Sequence, residues 1–246
     1  MKVSKLRTFQ IIVVSLLYTG YTCLRAILMG LSGRITRQWC DAELKRWFVR
    51  ILRAVKVTCQ VINPDNIEPL AGQPTIIMCN HSSLYDIPLS YTAFPNHSIR
   101  MLSKKELSKI PLMGSAMVAS EFPFVDRKNR TQAIKDLEQV KTLMESGIVM
   151  WIAPEGTRSK DGKVAPFKKG AFITAIQTGA TIIPMGIRGA FNILPARTHQ
   201  FNLNQHAEIH IGKPIDASKF TLETKEVLIK RVFESMSRLV HPDKID

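Results

Sequence analysis

The chain has 246 residues, 45% of them apolar, and a formal net charge of +14. That length suits one large domain, or one domain with an anchor, and the apolar content excludes wholesale disorder. So large a positive surplus points to a polyanionic partner: nucleic acid, an anionic membrane surface or phosphorylated substrates.

Lys2, Lys5 and Arg7 precede Thr8–Leu24, a stretch of 17 residues without a charge. Arg25 interrupts it, and an apolar run resumes through Leu31. This lies at the lower edge of a spanning helix, and Gln10, Ser15, Thr19 and Thr22 fall inside it, so it either spans the bilayer or enters one leaflet. No convincing small-residue cleavage site follows, which argues against a signal peptide. From about Ile35 to Val55, Trp39, Leu44, Trp47, Phe48, Ile51, Leu52 and Val55 recur at helical spacing among Arg37, Lys45, Arg46, Arg50 and Arg53. A basic amphipathic helix with tryptophans suits a membrane interface, and the alternative is a helix packed on a domain core. The positive-inside tendency places the basic region on the cytoplasmic face. Residues 1–55 are therefore read as a membrane-anchoring two-helix segment and 56–246 as an α/β domain.

Val57–Ile62 and Thr75–Cys79 read as strands, separated by a loop marked by Pro64, Pro69 and Gly72. Asn80-His81-Ser82-Ser83-Leu84-Tyr85-Asp86 follows the second strand. Histidine is a natural general base near neutral pH, and a carboxylate on its other ring nitrogen would fix the tautomer. Five residues apart in one helix, the two side chains would diverge by about 140°. His81 must then lie in the turn before the helix and fold back over its first turn. The same residues have the form of a capping box, so Asp86 as a plain helix cap is the competing reading.

Ser103-Lys104-Lys105 follows, where a lysine could stabilise an oxyanion or simply start a helix. Phe124-Val125-Asp126-Arg127 ends an apolar run on an arginine. Ala133–Ser146 reads as an amphipathic helix, Ile148–Ile152 as a buried strand. Ala153-Pro154-Glu155-Gly156-Thr157-Arg158-Ser159 then sits at a strand end. Gly156 would let backbone N–H groups approach an anion, and Arg158 offers a fork matched to phosphate oxygens. Each arginine taken alone is more simply a surface charge. Lys169–Thr178 reads as a helix closed by Gly179, Thr181–Ile187 and His206–Ile211 as strands, and Leu222–Val240 as a terminal amphipathic helix. This alternation predicts an α/β fold: a mixed, mostly parallel sheet flanked by helices. Cys23, Cys40, Cys59 and Cys79 form no CxxC pair, so no zinc site or disulfide framework is expected, and the thiols should be buried.

Four blocks in this order resemble the glycerolipid acyltransferase family, specifically the 1-acyl-sn-glycerol-3-phosphate acyltransferases. Its N-H-x-S-x-x-D block matches Asn80, His81, Ser83 and Asp86; its D-R block matches Asp126 and Arg127; its P-E-G-T-R-S block matches Pro154 to Ser159. Its apolar run through proline matches Ile182-Ile183-Pro184-Met185-Gly186, Lys104 stands at the family's lysine, and Gly212-Lys213-Pro214-Ile215 resembles a late segment. The similarity spans roughly residues 56–216. Ala153 replaces a usual phenylalanine, and Ser120-Glu121 stand where a glycine is often found.

The resemblance implies an N-terminal two-helix membrane motif and location on the cytoplasmic face of a membrane, the inner one in a bacterium. It implies no cofactor and no metal, a co-substrate thioester on acyl carrier protein or coenzyme A, a lysophosphatidate acceptor, and phosphatidate as the product in phospholipid biosynthesis. Within it, His81 is the base and Asp86 its support. Arg127 and Arg158 take the acceptor phosphate, with Glu155, Gly156 and Thr157 around the glycerol. Lys104 is the oxyanion candidate and Pro184 the acyl-site candidate. Glycerol 3-phosphate or another lysolipid is the alternative acceptor. A lipid hydrolase using Ser82 or Ser83 would lack a G-x-S-x-G elbow. A nucleic-acid binder would lack any recognisable signature, and His206 and His210 do not follow the H-E-x-x-H order of zinc proteases. A non-enzymatic anchor would have no use for the Glu-Gly-Thr-Arg block.

Overall fold

The computed structural model describes residues 3–126 and 129–242. Helix α1 (Lys5–Leu31) begins where the Ser4 side chain accepts the Arg7 N–H, and α2 (Arg37–Ala54) where Thr36 does the same for Trp39. Strands β1 (Thr58–Ile62) and β2 (Thr75–Cys79) follow, then α3 (Asp86–Ala93) and β3 (Ser98–Met101). An irregular stretch holds β4 (Ser103–Lys104), α4 (Met113–Ala119) and β5 (Phe124–Val125). Regular alternation returns with α5 (Arg130–Glu145), β6 (Ile148–Ile152), α6 (Lys169–Thr178) and β7 (Thr181–Arg188). After α7 (Ala190–Ile193) come β8 (His206–Ile211), β9 (Ile215–Asp216) and α8 (Lys225–Val240).

The main sheet runs β1-β8-β7-β2-β6-β3, with β9 also on β7. Its pairings are parallel except where β8 and β9 meet β7. This is the mixed, mostly parallel sheet expected. The central strands β2 and β6 are buried at every position, because helices cover both faces. On one face Ile77, Trp151, Ile183 and Met185 pack with Leu89 of α3 and Leu52 of α2. On the other, Ile76, Met78, Met150 and Ile182 meet Val140, Phe172 and the α8 stripe Leu228, Val232, Met236 and Val240. The alternation of neighbouring residues between the two sets is the period-two pleat, and the four-residue spacing in α8 is one helical face.

β1 lies at the sheet edge, and four of its five residues are exposed. That corrects the expectation for Cys59, which is exposed, whereas Cys23, Cys40 and Cys79 are buried.

The change of texture at 55/56 does not separate two cores. α2 buries Cys40, Glu43, Leu44, Phe48 and Leu52. Its Asp41 accepts from Arg100 Nη1 of β3 at 2.7 Å, and Arg100 has no exposed surface. Arg37 grips Glu121 with Nε at 2.8 Å and Nη2 at 2.7 Å. So the inner face of α2 follows the packed-helix alternative. α1 differs: its 27 residues are long and apolar enough to cross a membrane by length and composition, and only 22% of its most apolar window is buried.

Candidate active site

Strands β2 and β6 are adjacent and parallel, with Met78 opposite Ile152. Their C-terminal loops therefore emerge side by side, the usual place for a site in an α/β sheet. One loop carries Asn80–Tyr85, the other Ala153–Lys168.

In the first loop, every side chain that the motif specifies has a defined partner. Asn80 exchanges hydrogen bonds with Ile187 of β7, donating from Nδ2 to its carbonyl at 3.0 Å and accepting its N–H at 2.7 Å. Ser83 Oγ donates to the Leu194 carbonyl at 2.9 Å. Asp86 opens α3 and has no exposed surface. Its Oδ2 accepts the N–H groups of Ser82 at 2.6 Å and Ser83 at 2.7 Å, and lies 2.9 Å from His81 Nδ1. One oxygen thus closes the turn before α3 and supports the histidine without capping an α3 amide, and His81 sits in that turn as the helical period required. The ring also meets Trp151 edge-on, with centroids 6.0 Å apart. His81 Nε2 has no hydrogen-bond partner among the described residues. With Asp86 on Nδ1, that nitrogen is left as the acceptor that a general base needs.

The second loop is tied to the first. Glu155 Oε1 accepts the His81 N–H at 2.7 Å, and Oε2 accepts the Ala165 N–H at 2.9 Å. Ser159 N–H donates to the His81 carbonyl at 2.7 Å. Glu155 is only 2% exposed, and burial pushes its carboxyl up to about 6 despite the two amides that favour its charge. Both Glu155 oxygens are therefore engaged by backbone, turned away from solvent. Gly156 adopts φ +74°, which a side chain would strain. Thr157 is exposed and Arg158 half-buried. Arg158 has no hydrogen bond or ion pair among the described residues, leaving its guanidinium available to an anion.

Lys104 is exposed on the β4–β5 ladder, opposite Val125. Asp136 of α5 accepts the Asp126 N–H at 2.8 Å and so shapes the stretch that leads to Arg127. Arg127 itself lies outside the described residues. The structure puts Pro184 within the sheet. It is buried in β7 on the face that carries Ile182, the face covered by α8. Its carbonyl accepts the Gly212 N–H at 2.8 Å. N–H and C=O of one strand residue point the same way, so its missing donor falls in the gap between β8 and β9, where no ladder bond is lost. Pro184 thus serves the sheet.

An apolar cavity opens elsewhere, among Cys23, Phe48, Ile87, Tyr91, Met101 and Met117, next to the helix that Asp86 begins. No sequence motif marked it, because its walls come from five separate segments. Asn80, Ser83 and Asp136 were likewise not identified as positioning groups. Asn80 and Ser83 stood within a recognised motif, but their partners, Ile187 and Leu194, are more than a hundred residues away. Neither Ser82 nor Ser83 has a hydroxyl hydrogen bond to His81 among the described residues. His206 Nδ1 is paired with Thr58 and His210 Nε2 with Glu208.

A family model described as "Acyltransferase" matches residues 58–188. The chain is 32% identical over 178 residues to a chloroplastic 1-acyl-sn-glycerol-3-phosphate acyltransferase of Arabidopsis thaliana, covering 71% of this chain and 49% of that protein. It is 30% identical over 223 residues to the 1-acyl-sn-glycerol-3-phosphate acyltransferase of Saccharomyces cerevisiae, covering 88% of this chain and 70% of that one. The chain thus spans about half the length of the plant relative. The crystal structure of the 1-acyl-sn-glycerophosphate (LPA) acyltransferase PlsC from Thermotoga maritima superposes with a TM-score of 0.76 at 28% identity, covering 98% of this chain and 96% of that one. With the family model spanning the strand-end loops of His81 and Arg158, and the fold shared along nearly its whole length, the chain belongs to the acyltransferase family.

Proposed function

We propose that the protein is a membrane-associated 1-acyl-sn-glycerol-3-phosphate acyltransferase, converting lysophosphatidate to phosphatidate with an acyl thioester of acyl carrier protein or coenzyme A as donor. The observation that carries this reading is the His81–Asp86 pair with Arg158, which has no partner among the described residues, in the adjoining loop. His81 Nε2 takes the proton of the sn-2 hydroxyl as that oxygen attacks the thioester carbonyl. Asp86 stabilises the imidazolium that forms. The C–S bond then breaks, the proton passes from His81 to the leaving thiolate, and ester and free thiol remain. One base serves both directions, so no acyl-enzyme is required.

Arg158, together with Arg127, takes the acceptor phosphate, with Gly156 and Thr157 beside the glycerol. Lys104 stabilises the oxyanion. The apolar cavity beside α3 takes over from Pro184 as the acyl site. Glu155 holds His81's backbone. The basic flank of α2 supports a site at the cytoplasmic face. The names carried by similar proteins from plants and yeast favour lysophosphatidate over glycerol 3-phosphate as acceptor.

The test is a transfer assay with detergent-solubilised protein, offering lysophosphatidate, glycerol 3-phosphate and phosphate-free lysolipids against both thioester carriers. Phosphatidate formation from lysophosphatidate alone is expected. Equal turnover of phosphate-free acceptors would refute the phosphate role of Arg158.

A further inference from the structure

Between β4 and β5 the chain does something that neither the sheet nor the catalytic loops require. Leu112 adopts φ +65° and ψ −56°, and the Met113 N–H reaches back to the Pro111 carbonyl at 2.7 Å. This is a γ-turn centred on a leucine, a rare and strained conformation for such a residue. The turn is tightly built. The Gly114 N–H donates to the Ile110 carbonyl at 2.8 Å, and a Cβ on Gly114 would collide with the Ser108 carbonyl oxygen. What this strained turn displays is apolar: Ile110 is 40% exposed, Leu112 43% and Val118 60%.

The segment packs on the inner face of α1. A Cβ on Gly30 would lie 3.4 Å from that of Ala119, and Ala116 packs with Cys23 and Ala26. α1 in turn exposes Leu17, Leu24, Leu28 and Leu31, spaced along one helical side. Behind the segment, Met113, Ala116 and Met117 line the apolar cavity together with Cys23. Lys104, Lys109 and Arg34 are exposed beside it.

We propose that Ile110–Val118 is a second membrane-inserting element, which with the outer face of α1 forms one bilayer-contacting band in front of the apolar cavity. The proposal rests on the membrane reading of α1 and extends it into the α/β domain. A lipid bilayer is the occupant because the patch continues an apolar helix of membrane-spanning length and carries a basic rim suited to anionic headgroups. A wall with one side in the cavity and the other in lipid sets the acyl site one side-chain layer from the bilayer.

Insertion is read from tryptophan quenching. Leu112→Trp and Leu17→Trp variants of the full chain are mixed with phosphatidylglycerol–phosphatidylethanolamine vesicles carrying brominated acyl chains, and quenching is compared with that of the parent chain. Both variants should be quenched beyond the parent. Quenching of Leu17→Trp without Leu112→Trp overturns the proposal and leaves α1 as the anchor. Quenching of neither removes the membrane reading of α1 and the proposal with it. A double variant, Leu112→Glu with Val118→Glu, should lose about tenfold or more in turnover of a bilayer-embedded acceptor, as expected for charges placed in lipid, yet keep turnover of a monomeric short-chain acceptor. Equal loss on both acceptors would show a merely structural segment.

Discussion

Asp86 Oδ2 lies 2.9 Å from His81 Nδ1 and also accepts the backbone N–H groups of Ser82 and Ser83. One buried oxygen thus fixes the turn before α3 and orients the imidazole. Replacing His81 with Ala should lower kcat by about a thousandfold, within the range for a positioned general base, while leaving the thermal midpoint near that of the parent. Asp86→Ala should lower both, since three donors lose their acceptor, at a cost of about 2–4 kcal/mol. Turnover and thermal denaturation of the two variants side by side separate the roles. Near-normal turnover in folded His81→Ala would remove this histidine from the mechanism.

Arg158 should act on binding. With no partner among the described residues, its loss leaves no buried carboxylate behind. Arg158→Ala should raise the KM for lysophosphatidate by about a hundredfold, the scale of a lost charge-assisted phosphate contact, and Arg158→Lys should recover part of it. Turnover of a phosphate-free acceptor serves as the control and should not change.

Glu155 gives a pH-dependent prediction with a definite sign. Burial raises its carboxyl from an ordinary 4.5 to about 6. Between those values the folded protein holds a proton that the unfolded chain has released. The stability it contributes is therefore fully present below 4.5 and lost as pH rises through about 6. Going from about pH 4 to pH 7, the parent should lose on the order of 2 kcal/mol relative to Glu155→Gln. Glutamine offers one acceptor oxygen for two amides, so at neutral pH kcat should fall about tenfold with acceptor KM little changed. A rise in KM alone would make Glu155 a substrate ligand.

The Arg100–Asp41 pair joins α2 to β3. Arg100 is fully buried and its Nη2 has no hydrogen-bond partner among the described residues. Asp41→Ala leaves that charge uncompensated and should cost about 3–5 kcal/mol. Arg100→Met removes the charge itself and should cost less. The double variant should lie close to Arg100→Met, far from the sum of the two, as a double-mutant cycle by denaturation would show.

The strands and helices with simple periodicity were legible. β2, β6, α6 and β8 fall on the residues expected, because two-sided burial and a glycine stop leave local patterns. β3 was not legible. Its Arg100 reads as a surface charge until Asp41, 59 residues earlier, is brought against it. α4 does not show in the sequence because its start is set by the strained turn at Leu112, where a leucine takes a positive φ that residue type does not signal.

The sequence by itself determined the chemical inventory: a histidine and an aspartate whose spacing excluded a shared helix, an arginine in a glycine-bearing loop, and an apolar, basic N-terminus. These are properties of residue type and short separation. Only the tertiary structure decided that Glu155 holds the His81 backbone across 74 residues, that Pro184 belongs to the sheet, and that the apolar cavity lies between the N-terminal helices and α3. Each depends on which segments become neighbours. That follows from the parallel β2–β6 pairing and the docking of α2, and long-range packing of that kind leaves no local pattern in the chain.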